Sequence, residues 1–121
     1  MKVSIFLPEI PPGLNGPKGL IRNNRWALGE VKNRLTLLTL ASLPSRDPIP
    51  GPVQVTCTTF YAKLPRDWEN AACAAKYPMD AIVRAGVLED DNPTVIPCMI
   101  HKQTKVRSLK DQGYLIEIET L

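Results

Sequence analysis

The sequence predicts an α+β domain with a small mixed or antiparallel sheet and two main helices, in the order β-α-β-α-β-β. Three patterns lead to this prediction. Apolar residues alternate near both ends of the chain and over 53–62, leucines recur at helical spacing over 26–42, and alanines dominate 68–85. At 121 residues the chain is long enough for one domain with a single core, so 1–121 is treated as one unit.

The first half of the chain divides into a strand, a long loop, a helix and a second strand. Residues 2–7 alternate weakly and predict a strand, and 8–24 predict a loop because prolines and glycines are frequent there. Apolar residues then recur every three or four positions, which predicts a helix over 26–42. Prolines from 44 to 52 end that helix, and β-branched residues predict a strand over 53–62.

The second half predicts one more helix and two strands. Asp67 suits the N-cap of a helix that ends at Gly86, a residue typical of the C′ position. Pro78 falls inside this helix and should kink or break it, because proline removes one backbone hydrogen bond. Residues 94–101 predict a strand, 102–112 a polar, hairpin-like connection, and 114–119 a last strand.

Several protein classes do not fit the composition. Three widely spaced cysteines and one histidine form neither a zinc motif nor a disulfide framework, so we expect free thiols. No apolar run approaches ~18 residues, and the apolar N-terminus is too short for a signal peptide. We therefore expect a cytoplasmic protein with no membrane partner and no nucleotide cofactor.

Charge is distributed unevenly along the chain, whose net charge is +3. Residues 1–66 have a balance of +6 and residues 67–121 a balance of −3. Six of the twelve acidic residues lie between Asp67 and Asp91. Clustered carboxylates suit Mg²⁺, and a basic remainder suits a polyanion. The same distribution also fits an ordinary soluble domain with surface ion pairs.

Each notable residue of this acidic stretch also has a purely structural explanation. Asp67 can cap a helix, Lys76 can pair with Asp80 one helical turn later, and Glu89–Asp91 can form a solvated turn. Trp68 can anchor the core, or it can be an exposed surface that stacks on a base or sugar.

The order of these residues is more specific than any one of them. It reads Asp67-Trp68-Glu69-Asn70, Lys76, Asp80-Ala81-Ile82, Ala85-Gly86 and Asp90-Asp91. This order resembles the RusA family of Holliday junction resolvases, small endodeoxyribonucleases of bacteria and prophages. The resemblance is concentrated in 67–92. In the N-terminal loop, only the Asn and Arg character of 15–25 recurs.

The resemblance implies an endonuclease that cuts four-way DNA junctions in recombination and repair and depends on Mg²⁺, with Mn²⁺ as a substitute. The essential acids of the family correspond to Asp67, Glu69 and Asp91, with Asp90 as an auxiliary metal ligand and Lys76 as the catalytic lysine. The family has aspartate where this chain has Glu69, so that carboxylate lies one methylene farther from the backbone. A metal shift of ~1 Å can lower the rate strongly.

A homodimer is also implied, because a four-way junction is two-fold symmetric and its resolution requires paired cuts. Basic residues outside the acidic stretch are expected to contact phosphates without reading sequence. These are Arg22, Arg25, Lys63, Arg66, Lys102 and Lys105, with Lys18, Lys32 and Arg107 as further members. One alternative is a non-catalytic dimer that holds branched DNA. Another is a metal-binding scaffold whose acidic face contacts a protein partner.

Helix length limits how the acids can meet. A straight helix over 68–85 is about 27 Å long, and the six residues from Gly86 to Asp91 span at most about 20 Å. Asp91 would then hardly reach Asp67 and Glu69 of its own subunit. We therefore expect that the helix starts late or breaks near Pro78, or that a dimer interface lies close to the acids.

Overall fold

The computed structural model describes residues 1–14 and 25–121, apart from the side chain of Arg25. The strands are β1 (Lys2–Leu7), β2 (Val53–Tyr61), β3 (Cys98–Lys105) and β4 (Gly113–Thr120). The helices are α1 (Arg25–Ser42), α2 (Trp68–Cys73) and α3 (Lys76–Arg84), with a 3₁₀ turn at Leu109–Asp111. The predicted α+β class and the order β-α-β-α-β-β are confirmed, with the second helix divided into two.

The four strands form one mixed sheet in the order β1-β4-β2-β3. β4 is antiparallel to both of its neighbours, whereas β2 and β3 are parallel. Parallel neighbours cannot be joined by a hairpin, so the chain needs a crossover, and α2 and α3 provide it. β1 and β3 are the edge strands.

Side chains alternate between two faces of this sheet. On the covered face, Ile5, Val55 and Ile116 are fully buried and belong to the core with residues of α3. The opposite face is called the open face below. It carries the side chains that alternate with the buried ones along each strand, such as Phe6 and Leu115. The helices of the described chain pack on the covered face.

The predicted interruption of the second helix is confirmed. The amides of Ala74 and Ala75 bond to carbonyl oxygens three residues earlier, at 3.2 and 3.3 Å, so the chain tightens and α2 ends. Pro78 lies in the first turn of α3, where an N–H group would have no partner within the helix. The break therefore falls just before Pro78. The proline itself does not disturb α3, because it lies in the first turn of that helix.

The third strand differs from the prediction at both ends. It spans Cys98–Lys105 instead of 94–101, and the predicted connection over 102–112 is wrong in its first four residues. Asn92 delays the strand, because its side-chain oxygen accepts hydrogen bonds from the amides of Thr94 and Val95 and holds a turn. The polar residues that follow belong to an edge strand paired with β2, and one edge of that strand faces solvent.

Other features agree with the sequence to within one residue, including both ends of α1, β2 and β4. The three cysteines are free thiols, and burial raises the pKa of the Cys57 thiol to about 11, so it stays protonated. Among the described residues, no helix has the length and apolar character needed to cross a bilayer.

Gly113 allows β1 to pack closely on β4. A Cβ atom at this position would overlap the ring of Phe6 and lie 2.8 Å from the carbonyl oxygen of Leu7. We expect Gly113→Ala to lower the free energy of unfolding by about 1–3 kcal/mol, because the β1 backbone would have to move. Urea denaturation measures this change.

Gly29→Ala is the matched control. Gly29 lies on α1, and no described atom comes within 4 Å of a Cβ atom built there. Alanine should raise the free energy of unfolding by about 0.5–1 kcal/mol at this helical position. Equal effects of the two substitutions would contradict the close packing of β1 on β4.

Candidate active-site groove

Asp67 connects the segment after β2 to α2. Its Oδ1 atom accepts a hydrogen bond from the amide of Asn70 at 2.9 Å, which makes it the N-cap that the sequence allowed. Glu69 lies in the first turn of α2, where a negative charge interacts favourably with the helix N-terminus. Both side chains are exposed. Asp67 therefore has a structural role, and Glu69 makes no hydrogen bond or ion pair with the described residues.

The segment before α2 is attached to β3 and to the N-terminal loop. The Arg66 guanidinium donates to the carbonyl oxygen of Pro11 at 2.7 Å. The Arg66 amide donates to Oε1 of Gln103 at 2.9 Å, and Nε2 of Gln103 donates back to the Arg66 carbonyl at 2.8 Å. Gly13 packs against Asn70 so closely that a Cβ atom would overlap it. These contacts, called the Arg66 clamp below, place the start of α2 beside Gln103.

Asp91 and Lys76, which are 15 residues apart in sequence, line the same groove between the crossover helices and β3. The groove has a volume of about 270 Å³ and is lined by Ala72, Ala75, Lys76, Met79, Asp91, Met99 and His101. Asp91 is exposed, and its carboxylate makes no hydrogen bond or ion pair with the described residues. The predicted pair between Lys76 and Asp80 is present at 4.0 Å, but it is exposed and contributes only a few tenths of a kcal/mol.

Asp91 also borders a second groove of about 230 Å³, lined by Lys32, Asp80, Val83, Arg84, Asp90 and Asp91. Asp90 accepts hydrogen bonds from the Asp91 amide at 2.7 Å and from Nδ2 of Asn92 at 3.1 Å. Its carboxylate therefore stabilises the turn that presents Asp91. The solvated turn that the sequence allowed for this segment is present, and the carboxylate of Asp91 remains available within it.

The acids lie along β3 instead of meeting at one point. The start of α2, with Asp67, is attached to Gln103, whereas Asp91 lines the groove beside Met99 and His101. These three β3 residues share a face at two-residue steps of about 6.6 Å. Within residues 1–14 and 25–121, no three His, Cys, Asp or Glu side chains are grouped to hold a metal ion.

His101 is a groove residue that the sequence analysis did not select. It is half-buried on the covered face of β3, and burial lowers the pKa of its imidazole below the usual 6.5. The ring is therefore neutral at pH 7, with one nitrogen as a donor and the other as an acceptor. Its position beside the crossover depends on the parallel register with β2, which the sequence pattern does not reveal.

The basic residues expected to contact phosphates occupy different surfaces. Lys105 shares the covered face with His101, whereas Lys102 lies on the open face, and both are exposed. Lys63 is exposed in the segment that follows β2. The guanidinium of Arg66 is half-buried in the Arg66 clamp, so its hydrogen bond serves the fold.

Three of the expected DNA contacts lie outside the described residues: Lys18, Arg22 and the side chain of Arg25. Trp68 is 60% exposed, so the interpretation of this residue as a core anchor is wrong. The exposed ring lies next to Asp67, at the start of α2. Stacking of the exposed Trp68 ring on a base or sugar therefore stays a prediction.

Arg66→Ala tests whether this residue is structural. We expect it to lower the free energy of unfolding by about 1–3 kcal/mol, because the carbonyl oxygen of Pro11 loses its charged, half-buried donor. Urea denaturation measures the change. Lys63→Ala is the control and should stay within about 0.5 kcal/mol, because an exposed lysine contributes little. Normal stability of Arg66→Ala with weakened DNA binding would instead assign Arg66 to the DNA surface.

No protein-family model matches the chain, and no curated protein sequence matches it.

Proposed function

We propose that the chain is a Mg²⁺-dependent, structure-selective endodeoxyribonuclease similar to the RusA family. It would resolve Holliday junctions by paired, symmetric phosphodiester hydrolysis in DNA recombination and repair. The observation that supports this most is the groove shared by Asp91 and Lys76. The resemblance selects both residues as catalytic, and they are 15 residues apart in sequence. Phosphoryl transfer requires a carboxylate that can hold a metal and a cation that neutralises phosphate oxygens.

The carboxylates beside the groove suit a Mg²⁺ ion that is held partly by its substrate. Mg²⁺ commonly takes one or two protein carboxylates and completes its shell with water and phosphate. Asp91 has a carboxylate without a protein partner and would be the principal ligand. Asp67 and Glu69 would contribute from the α2 end of the groove, with Asp90 as an auxiliary ligand. When bound, the ion lowers the pKa of a water molecule and polarises the scissile phosphate.

The groove also supplies groups that would position the phosphate. The exposed Lys76 ammonium would offset negative charge on a non-bridging oxygen as it develops. Neutral His101 offers a hydrogen-bond donor on the same wall. Lys63 and Lys105 are exposed counter-charges for the flanking phosphates, so binding should weaken as salt rises.

A non-catalytic homodimer that holds branched DNA is the second candidate function. Two observations favour it. The acids are spread along β3, and one carboxylate oxygen of Asp67 already caps α2. Glu69 adds a third reason, because the family has the shorter aspartate at this position. Metal-dependent cleavage of a junction separates the two functions.

Asp91→Asn tests the principal carboxylate. We expect at least about a 100-fold loss in the rate at which a labelled, immobile four-way junction is nicked in Mg²⁺, because the charge that holds the metal is removed. Junction binding and the melting temperature should not change, since the Asp91 side chain has no described structural bond. Asp47→Asn, an exposed acid before β2, is the control and should cut normally. Full activity of Asp91→Asn would exclude this residue as a ligand.

Asp67→Asn separates capping from catalysis, because asparagine caps helices as well as aspartate does. We expect the free energy of unfolding to stay within about 0.5 kcal/mol while the nicking rate falls at least about 100-fold. Asp67→Ala should lose the cap as well, at a cost of about 1 kcal/mol. Normal cutting by Asp67→Asn would leave this residue with a structural role alone.

Junction binding without cutting, in either Mg²⁺ or Mn²⁺, would favour the second function. Glu69→Asp is then the informative variant, because it restores the side-chain length of the family. A gain of paired nicks would identify Glu69 as the cause of the lost activity. Continued absence of cutting would support a protein that only binds junctions.

A further inference from the structure

We propose that a second copy of this chain packs on the open face of the sheet, so that the homodimer is built sheet against sheet. The homodimer that the RusA resemblance implies supplies the partner, so the open face as its interface rests on the proposed function. The interface does not require nuclease activity, since an inactive junction-binding protein would use the same face.

The open face carries large apolar side chains around a polar centre formed by Thr56 and Thr58 of β2. The strand registers bring four large apolar side chains onto this face: Phe6, Phe60, Ile100 and Leu115. Phe6 remains 48% exposed although its ring lies over Gly113, and the other three are partly exposed. None of the described helices covers this face. Large apolar side chains that remain partly exposed on one face of a sheet favour an interaction there.

The charges of the open face favour a copy of the same chain over a polyanion. Lys2 and Lys102 are balanced by Glu117 and Glu119, so the face has no net charge to attract phosphates. Lys2 is already paired with Glu117 at 2.7 Å. Lys102 lies on the edge strand β3, apart from both glutamates, which gives the face two oppositely charged regions. Two-fold symmetry can match such regions to each other.

The registers also define a consistent two-fold arrangement. We place residues at ideal spacings of about 4.8 Å between strands and about 6.6 Å between side chains on one face. A two-fold axis in the interface plane that brings Lys102 over Glu117 of the partner subunit also brings Phe6 over Phe60 of the partner subunit. One axis therefore satisfies both the charge pair and the aromatic pair.

The area of the face suits a weak, reversible dimer. Four strands about 4.8 Å apart and eight residues of about 3.3 Å cover roughly 500 Å² in projection. Full overlap of two copies would bury roughly 1,000 Å², and strands that cross under this axis overlap less, which is the size of a weak or transient interface. The dimer would therefore be weak, with a dissociation constant that is readily measurable.

Sedimentation analysis of the full chain, without DNA or metal, tests the interface. We expect the wild type to reach twice its monomer mass of 13.4 kDa. Phe6→Glu should raise the dimer dissociation constant at least about 30-fold, because it places an unpaired charge against Phe60 of the partner subunit. Leu37→Glu is the matched control, since Leu37 is 68% exposed on α1 and lies away from the open face, and it should remain a dimer.

A charge exchange tests the symmetry. Lys102→Glu and Glu117→Lys should each weaken the dimer, and the double variant should recover part of the affinity, because Glu117→Lys also breaks the pair with Lys2 of its own chain. Circular dichroism checks folding. If Phe6→Glu does not fold, the exchange at exposed Lys102 tests the interface without it. Failure of the exchange to recover affinity would overturn the arrangement.

Three results would overturn the proposal. The wild type could be a monomer at every concentration, or Leu37→Glu and not Phe6→Glu could break the dimer. Phe6→Glu could also remain dimeric while losing junction binding, which would assign the open face to DNA. None of these results depends on cleavage, so loss of the proposed enzyme activity and loss of the proposed interface are distinguishable.

Discussion

The parallel pairing of β2 with β3 is the constraint on which the rest of this molecule depends. It obliges the chain to run back along the sheet between the two strands, and the chain does so in the 36 residues from 62 to 97. Asp67 lies where this crossover begins and Asp91 lies near its end. Asp91 therefore lines a groove along β3, and the crossover helices form the opposite wall of that groove.

The interruption between α2 and α3 gives the crossover a second helix N-terminus, and Lys76 is the first residue of α3. A positive charge there is unfavourable for the helix, because the helix dipole is itself positive at that end. The first turn of α3 contains no acidic residue that would offset this charge. Lys76 therefore does not stabilise the helix. Together with the helix dipole it gives this end of α3 a positive potential, which would favour the phosphate of the proposed function.

Local patterns were enough to predict the order of the elements and the interruption near Pro78, because periodicity and proline chemistry act within a few residues. They were not enough to predict the partner of β3, since alternation does not reveal which strand lies beside it. The error at 94–101 has the same origin, because the Asn92 turn competes locally with strand formation. The relevance of His101 followed only from the register.

The candidate site separates into residues that hold the scaffold and residues that remain available. Asp90 and Arg66 use their side chains in internal hydrogen bonds, and Asp67 uses one carboxylate oxygen. Asp91 and Glu69 have no such bonds within the described chain. The sequence motif selected residues of both groups, because a motif specifies residue types and does not reveal which side chains form hydrogen bonds in the fold. Bonding in the fold distinguishes them, and it makes Asp91 the residue on which the proposed metal-dependent cleavage should depend most.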